Sequence, residues 1–240
     1  MRSRRVLQVV TVGMAASVLV WVATMAIGGR QPGPQQVSAS AEQMAQKEAI
    51  DDGLRAVDAS LAGPLGAVAS VSVIVDRSHA LDRVIALGTP ALPELISRID
   101  NSSENGLHEA ILAICASRII KADVGGPPDT GLCWSTGKEF PAVWKTYLAR
   151  IPAAVAAITA SDIQSDEKNI QLVKLGTPAI PFILDEVERG HSELSSAAEA
   201  LMRGTVEMDG ASAKGLATAA WARQNKERFA GLRSLVSEAK

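Results

Sequence analysis

The 240 residues carry 24 Lys and Arg against 26 Asp and Glu, a formal charge of -2, with 47% apolar residues and only 3% aromatic ones. Arg2, Arg4, Arg5 and Arg30 all precede Gln31, so the rest of the chain holds 20 basic against 26 acidic residues, which argues against a broad nucleic-acid face. The length admits one ordinary domain plus an N-terminal extension, and the abundance of alanine favours close helix–helix packing.

Residues 1–5 are basic, and residues 6–29 are apolar apart from Gln8, Thr11, Ser17 and Thr24. Such a run is long enough to cross a bilayer core of roughly 30 Å as one helix. Three arginines before it and one after it place the N-terminus in the cytoplasm and the body in the periplasm or outside the cell, as a single-pass membrane protein. The competing reading is a cleaved signal peptide ending near Ala26-Ile27-Gly28. No cysteine follows closely, which argues against a lipoprotein.

Residues 30–40 are rich in Pro, Gly, Gln and Ser and read as a flexible or extended tether. Ile50, Leu54, Val57 and Leu61 then recur at helical spacing, predicting an amphipathic helix over 41–62 closed by Gly63-Pro64. Residues 65–75 are apolar and β-branched. A short strand and a buried helical turn both fit them, and the helical surroundings favour helix or loop. Asp76 or Ser78 can cap the next helix, which carries Leu81, Val84, Ile85 and Leu87.

That helix runs into Leu87-Gly88-Thr89-Pro90-Ala91-Leu92-Pro93, which returns as Leu175-Gly176-Thr177-Pro178-Ala179-Ile180-Pro181, 88 residues later and with one Leu/Ile change. Each copy reads as a corner. The glycine can end one helix in a left-handed conformation. The threonine is a candidate N-cap for the next helix, and the first proline suits its first turn. Helices joined this tightly pack as an antiparallel hairpin.

The residues beyond each corner also match. Leu92, Leu95, Ile96 and Ile99 form one stripe, then residues 101–106 a loop, then Leu107, Ala110, Ile111, Ile114 and Cys115 another stripe. The second copy has Ile180, Ile183, Leu184 and Val187, a loop at 188–191, then Leu194, Ala197, Ala198 and Leu201. Trp134, Lys138 and Phe140 answer to Trp221, Lys226 and Phe229. Thr136 with Glu139 predicts a capping box, and Asn225 a cap for the counterpart. Residues 152–160 and 165–175 read as further helices joining the halves. The prediction is an all-α domain over 41–240, with units at about 76–151 and 163–240.

The run Leu87-Gly-Thr-Pro-Ala-Leu-Pro-Glu-Leu-Ile96 resembles the helix–turn–helix corner of short HEAT-like repeats found in many bacterial proteins. The resemblance covers the two corners and, more loosely, their flanking helices, and it implies an α-solenoid that serves as a protein-binding scaffold. The period of about 88 residues is near two HEAT units, so a compact pair of units is expected in place of a long array.

No motif for a metal, nucleotide or other cofactor emerges. His79, His108 and His191 stand far apart, and neither a His-Glu-x-x-His nor a Cys-x-x-Cys occurs. Ser135-Thr136-Gly137-Lys138 has the wrong glycine spacing for a phosphate loop, with Glu139 where a hydroxyl is needed. Cys115 and Cys133 lie in the same unit; an exported body would permit a disulfide between them, and two buried thiols are the alternative. Trp134 and Trp221 read as wedges that seat the last helix of each unit. Trp144, whose counterpart falls near Leu232, has no aromatic match; a place in the core is the first reading, and it is also a candidate contact for a partner. So is the Pro/Gly-rich loop holding Gly125, Pro127, Pro128 and Asp129. The expected function is a membrane-anchored scaffold that binds a protein partner, without cofactor or nucleic acid. The alternative is a cell-envelope enzyme whose site follows no familiar motif.

Overall fold

A computed structural model describes residues 34–61, 79–125, 134–208 and 218–239. Within these residues every regular element is helical, so the fold is all-α. The helices are α1 (Pro34–Leu61), α2 (His79–Ala86), α3 (Leu92–Asn101), α4 (Leu107–Ile119), α5 (Phe140–Ala160), α6 (Ser165–Lys174), α7 (Ile180–Glu188), α8 (Ser195–Met202), α9 (Ala219–Asn225) and α10 (Ala230–Glu238). Among the described residues no helix is long and apolar enough to cross a membrane. The apolar run at 6–29, the stretch 65–75 and the caps expected at Asp76 or Ser78 lie outside them.

The apolar stripes become one core. Leu92, Leu95 and Ile99 of α3 and Ile180, Ile183, Leu184 and Val187 of α7 are buried in it. α1 contributes Ile50 and Val57, and its polar face is tied to the body. Lys47 pairs with Glu94 at 3.8 Å, Asp51 with Arg98, and His108 bonds Asp58 at 2.7 Å. α1 begins at Pro34, inside the stretch read as a tether. Proline suits a first helical turn because its missing N–H has no helical partner to lose.

Both corners take one backbone path. Gly88 has φ 67 and ψ -158, and Gly176 has φ 66 and ψ -174. This is an extended conformation at positive φ, open essentially to glycine alone; the expected left-handed helical conformation is not the one adopted. The Gly88 N–H donates to the Ile85 carbonyl at 3.1 Å, and the Gly176 N–H to Val173 at 3.0 Å. A single 3-10 turn follows, Thr89–Ala91 or Thr177–Ala179. The threonines are inside that turn and neither caps a helix, because the glycine has already taken the N-cap position.

Each corner is seated against the other half of the chain. The Thr177 N–H donates to the Ile120 carbonyl at 2.7 Å, and a Cβ at Gly176 would collide with that carbonyl and with Ala122. A Cβ at Gly88 would stand 2.6 Å from Val206 Cγ1. α5 packs on the second corner, α10 on both corners, and α5 and α10 touch one another. Lys121 holds φ 56 and donates from Nζ to the carbonyls of Leu201 and Arg203, closing the C-terminal end of α8. Burial lowers its pKa.

Three further expectations change. α5 runs unbroken through Pro152, so 152–160 is not a separate helix; buried Ile151 and Val155 hold the chain helical on either side. Thr136 makes no capping bond, and Glu139 accepts instead from the Ser135 N–H at 2.6 Å. Asn225 donates to the Trp221 carbonyl, and the cap in that region is Thr218, which accepts from the Trp221 N–H at 3.2 Å.

Candidate functional site

Helix α3 leaves the first corner with Pro93, Ile96, Ser97 and Asp100 on its outer side, because Leu92, Leu95 and Ile99 are turned into the core. The start of α5 brings Trp144 and Leu148, and α10 brings Leu235 and Glu238. Between these three helices lies a cleft in two parts that share some of their lining. One, of about 440 Å³, is bounded by Thr89, Pro90, Val206, Arg228 and Ser234. The other, of about 420 Å³, reaches Asp100, Trp144 and Lys145. Pro93, Leu235 and Glu238 line both. Its lining mixes aliphatic and aromatic side chains, among them Ile96, Leu148, Leu235 and Trp144, with the charged Asp100, Lys145, Arg228 and Glu238, the general composition of a site for an amphipathic ligand.

Trp144 is 4% exposed. Of its two readings, core and partner contact, the burial matches the first, and Trp144 also lines the cleft. It lies 5.8 Å from Phe140 and 6.4 Å from Tyr147, ring centre to ring centre. Trp134 meets Phe140 edge-on at 5.4 Å, and Gly125 packs beside the Trp134 indole. Gly125 thus sits beside one end of an aromatic row that runs from Trp134 through Phe140 and Trp144 to Tyr147. Pro127, Pro128, Asp129 and Cys133 lie outside the described residues. Cys115 is a buried free thiol, and burial pushes its pKa to about 12, so it is inert as a nucleophile. The Tyr147 hydroxyl donates to the Leu175 carbonyl, and burial raises its pKa; it ties α5 to the second corner.

Lys138, at the end of the run that resembled a phosphate loop, donates to the carbonyls of Asp100 and Ser102. It caps the C-terminal end of α3, and Gly137 beside it is packed against Glu109 and Ala110 with no room for a ligand. Lys226 approaches the same place on the other half, 3.4 Å from Glu188 at the end of α7. His79, His108 and His191 each meet a carboxylate away from the cleft. Among the described residues no three His, Cys, Asp or Glu side chains gather as a metal site.

In the second half of the chain Arg233 and Asp185 form an ion pair. Arg233 donates to the Pro181 carbonyl at 2.9 Å and to both Asp185 carboxylate oxygens at 2.9 Å, with its guanidinium 5.2 Å from the centre of the Phe182 ring. Aligning Phe140 with Phe229 sets Trp144 opposite Arg233, and the 88-residue offset sets Ser97 opposite Asp185. The first half therefore has a serine and an indole where the second has an ion pair. The sequence holds this signal, but it emerges only with an offset of 89 in the last helix.

Glu207 Oε2, beside the cleft, is buried and has no hydrogen-bond partner among the described residues, a lack that costs about 1–3 kcal/mol. Glu207 lines both the larger part of the cleft and a smaller cavity of about 180 Å³ under the first corner, which Lys121 also lines. No protein-family model, curated protein or solved structure matches the chain.

Proposed function

We propose that the chain is a protein-binding module, held at a membrane by residues 6–29 with its body outside the cytoplasm, and that the cleft between α3, α5 and α10 receives the partner. We read the body as a short HEAT-like solenoid of two duplicated units. The shared corner geometry and the reciprocal seating of the corners support that reading.

The observation that carries the binding site is the contrast between the halves. The Arg233–Asp185 pair occupies the place in the second half that the first half leaves lined by Ser97 and the edge of Trp144. Apolar side chains with a few charged ones among them suit a protein-binding surface, in which a few apolar contacts supply most of the affinity.

The test is chemical crosslinking of the full-length chain in its own membranes, with mass spectrometry of the adducts. One dominant adduct is expected. It should be lost in Ser97→Arg and in Leu235→Glu, while far-ultraviolet circular dichroism shows both variants folded. Adducts that are the same in the variants as in the unaltered chain, or none above background, overturn the proposal.

A further inference from the structure

We infer that Asn105 is a site of self-modification: the Gly106 amide nitrogen attacks the Asn105 carboxamide and expels ammonia, and Glu109, which holds the same N–H, sets how fast this happens.

The sequence singles out the place. Of the four asparagines, Asn101, Asn105, Asn169 and Asn225, Asn105 alone is followed by glycine. With no Cβ beside it, a glycine nitrogen is free to approach the carboxamide. The fold singles it out again. Asn101, Asn169 and Asn225 belong to α3, α6 and α9, and the amides that follow the first and last of these donate to the carbonyls of Arg98 and Ala222. Asn105 is exposed, in the loop between α3 and α4, where the backbone has no helical bonds to give up.

The reaction needs only the chain and water. The Gly106 nitrogen gives up its proton and bonds to Asn105 Cγ. The carboxamide nitrogen takes a proton and leaves as ammonia, and a cyclic succinimide remains. Water then opens the ring. Opening at Cγ gives aspartate. Opening at the backbone carbonyl gives isoaspartate, whose main chain runs through Cβ and Cγ and is one carbon longer.

Glu109 stands against the first step. Its buried carboxylate accepts from the Gly106 N–H at 2.7 Å and from the Ser102 hydroxyl at 2.5 Å. The nitrogen must shed its proton to attack. A charge-assisted bond holds the N–H in place, and the negative charge beside it opposes an anionic nitrogen. On the other side Asn105 Oδ1 accepts from the Lys138 N–H at 3.3 Å, so the carboxamide joins this loop to the turn that starts α5. The Lys138 side chain in turn closes α3. The isoaspartyl product therefore lengthens the chain at the place where α3, α4 and the start of α5 are tied together.

The test is incubation of the full-length chain at neutral pH and physiological temperature. Mass spectrometry of its peptides reads amide-to-acid conversion at each asparagine, and labelling by an isoaspartyl methyltransferase reads the isoaspartate. Conversion at Asn105 should run severalfold ahead of that at Asn101, Asn169 and Asn225. Gly106→Ala should slow it by an order of magnitude. That variant keeps the fold, because the backbone is extended there, with φ -123 and ψ -156, and a Cβ would meet Glu109 Oε2 at an ordinary 3.6 Å. Glu109→Gln should speed conversion severalfold, and Ser102→Ala, which removes the hydroxyl that orients Glu109, to a lesser degree. Gly190→Ala, a destabilising change in a different loop, should leave it unaltered. Circular dichroism checks that each variant is folded. Asn105 converting no faster than the other three, in the unaltered chain and in both the Glu109 and Ser102 variants, overturns the site. A rate indifferent to Glu109→Gln and Ser102→Ala, or raised as much by Gly190→Ala, overturns the part given to Glu109.

Discussion

Gly176 has no freedom to be anything else. Its φ of 66 is hard for any other residue, and a Cβ would strike the Ile120 carbonyl, which is already engaged by the Thr177 N–H. Gly88 shares the strain, but its neighbour is the Val206 side chain, which can turn aside. Gly190 has φ 113 with open space around it. Alanine at the three sites should therefore destabilise in the order Gly176, Gly88, Gly190. The first should cost about 3 kcal/mol or more and the last about 1–2 kcal/mol, read from urea midpoints; any other order removes the reciprocal seating as the explanation. Glu109 gives a second prediction. It is 5% exposed and accepts from the Ser102 hydroxyl at 2.5 Å and the Gly106 N–H at 2.7 Å. Burial alone would raise its pKa, but these bonds outweigh burial and hold it below its ordinary 4.5. A depressed carboxylate stabilises the fold above the unfolded value and loses that contribution as pH falls through the folded value. Glu109→Gln should cost about 1–2 kcal/mol at pH 7, and thermal melts should show the cost shrinking as pH is lowered below about 4.

At the level of elements, α5 has two duties. Its first turns make one wall of the cleft, and its later turns pack beside α6. Pro152 within it forgoes one backbone bond, and helix-interior proline costs about 3 kcal/mol in the general case. Pro152→Ala should raise stability by about 1–3 kcal/mol, visible as a higher melting temperature. A fall would mean that a bend at this residue is what lets α5 serve both neighbours. Periodicity locates most of these helices, because the buried faces of α2, α3, α7 and α8 carry the leucines and isoleucines that recur at helical spacing. The ends are less legible. Thr89 and Thr136 look like caps by residue type, yet what caps an end depends on which group tertiary packing brings to it. Thus Lys138, distant in sequence, closes α3, and Lys121 closes α8. The continuity of α5 is hidden because proline is a helix breaker on propensity alone.

For the whole molecule, the corner repeat is enough to predict an all-α body, and the structure is all-α over the residues it describes. The cleft is not predictable from either half of the sequence read alone, because its walls come from both halves. Ser97 and Trp144 line it, at positions that aligning the two halves of the sequence sets opposite Asp185 and Arg233. Trp144 stands out in the sequence for lacking an aromatic counterpart, and it does line the cleft, but as an almost buried edge. Charging the cleft is a direct test of this contrast. Ser97→Asp combined with Arg228→Gln leaves the core untouched, sets a carboxylate beside the apolar side chains of the cleft and removes a guanidinium from its lining. The pair should weaken partner crosslinking severalfold with little change in melting temperature.

Whether the cleft seats one partner is decided by a site-specific photo-crosslinking scan of the full-length chain in its membrane, with the probe placed in turn at Ser97, Lys145 and Ser234 around the cleft and at Lys174 on α6. A binding cleft gives one common adduct from the three cleft positions and none from Lys174. Equal labelling from Lys174, or a different adduct at every position, would contradict it.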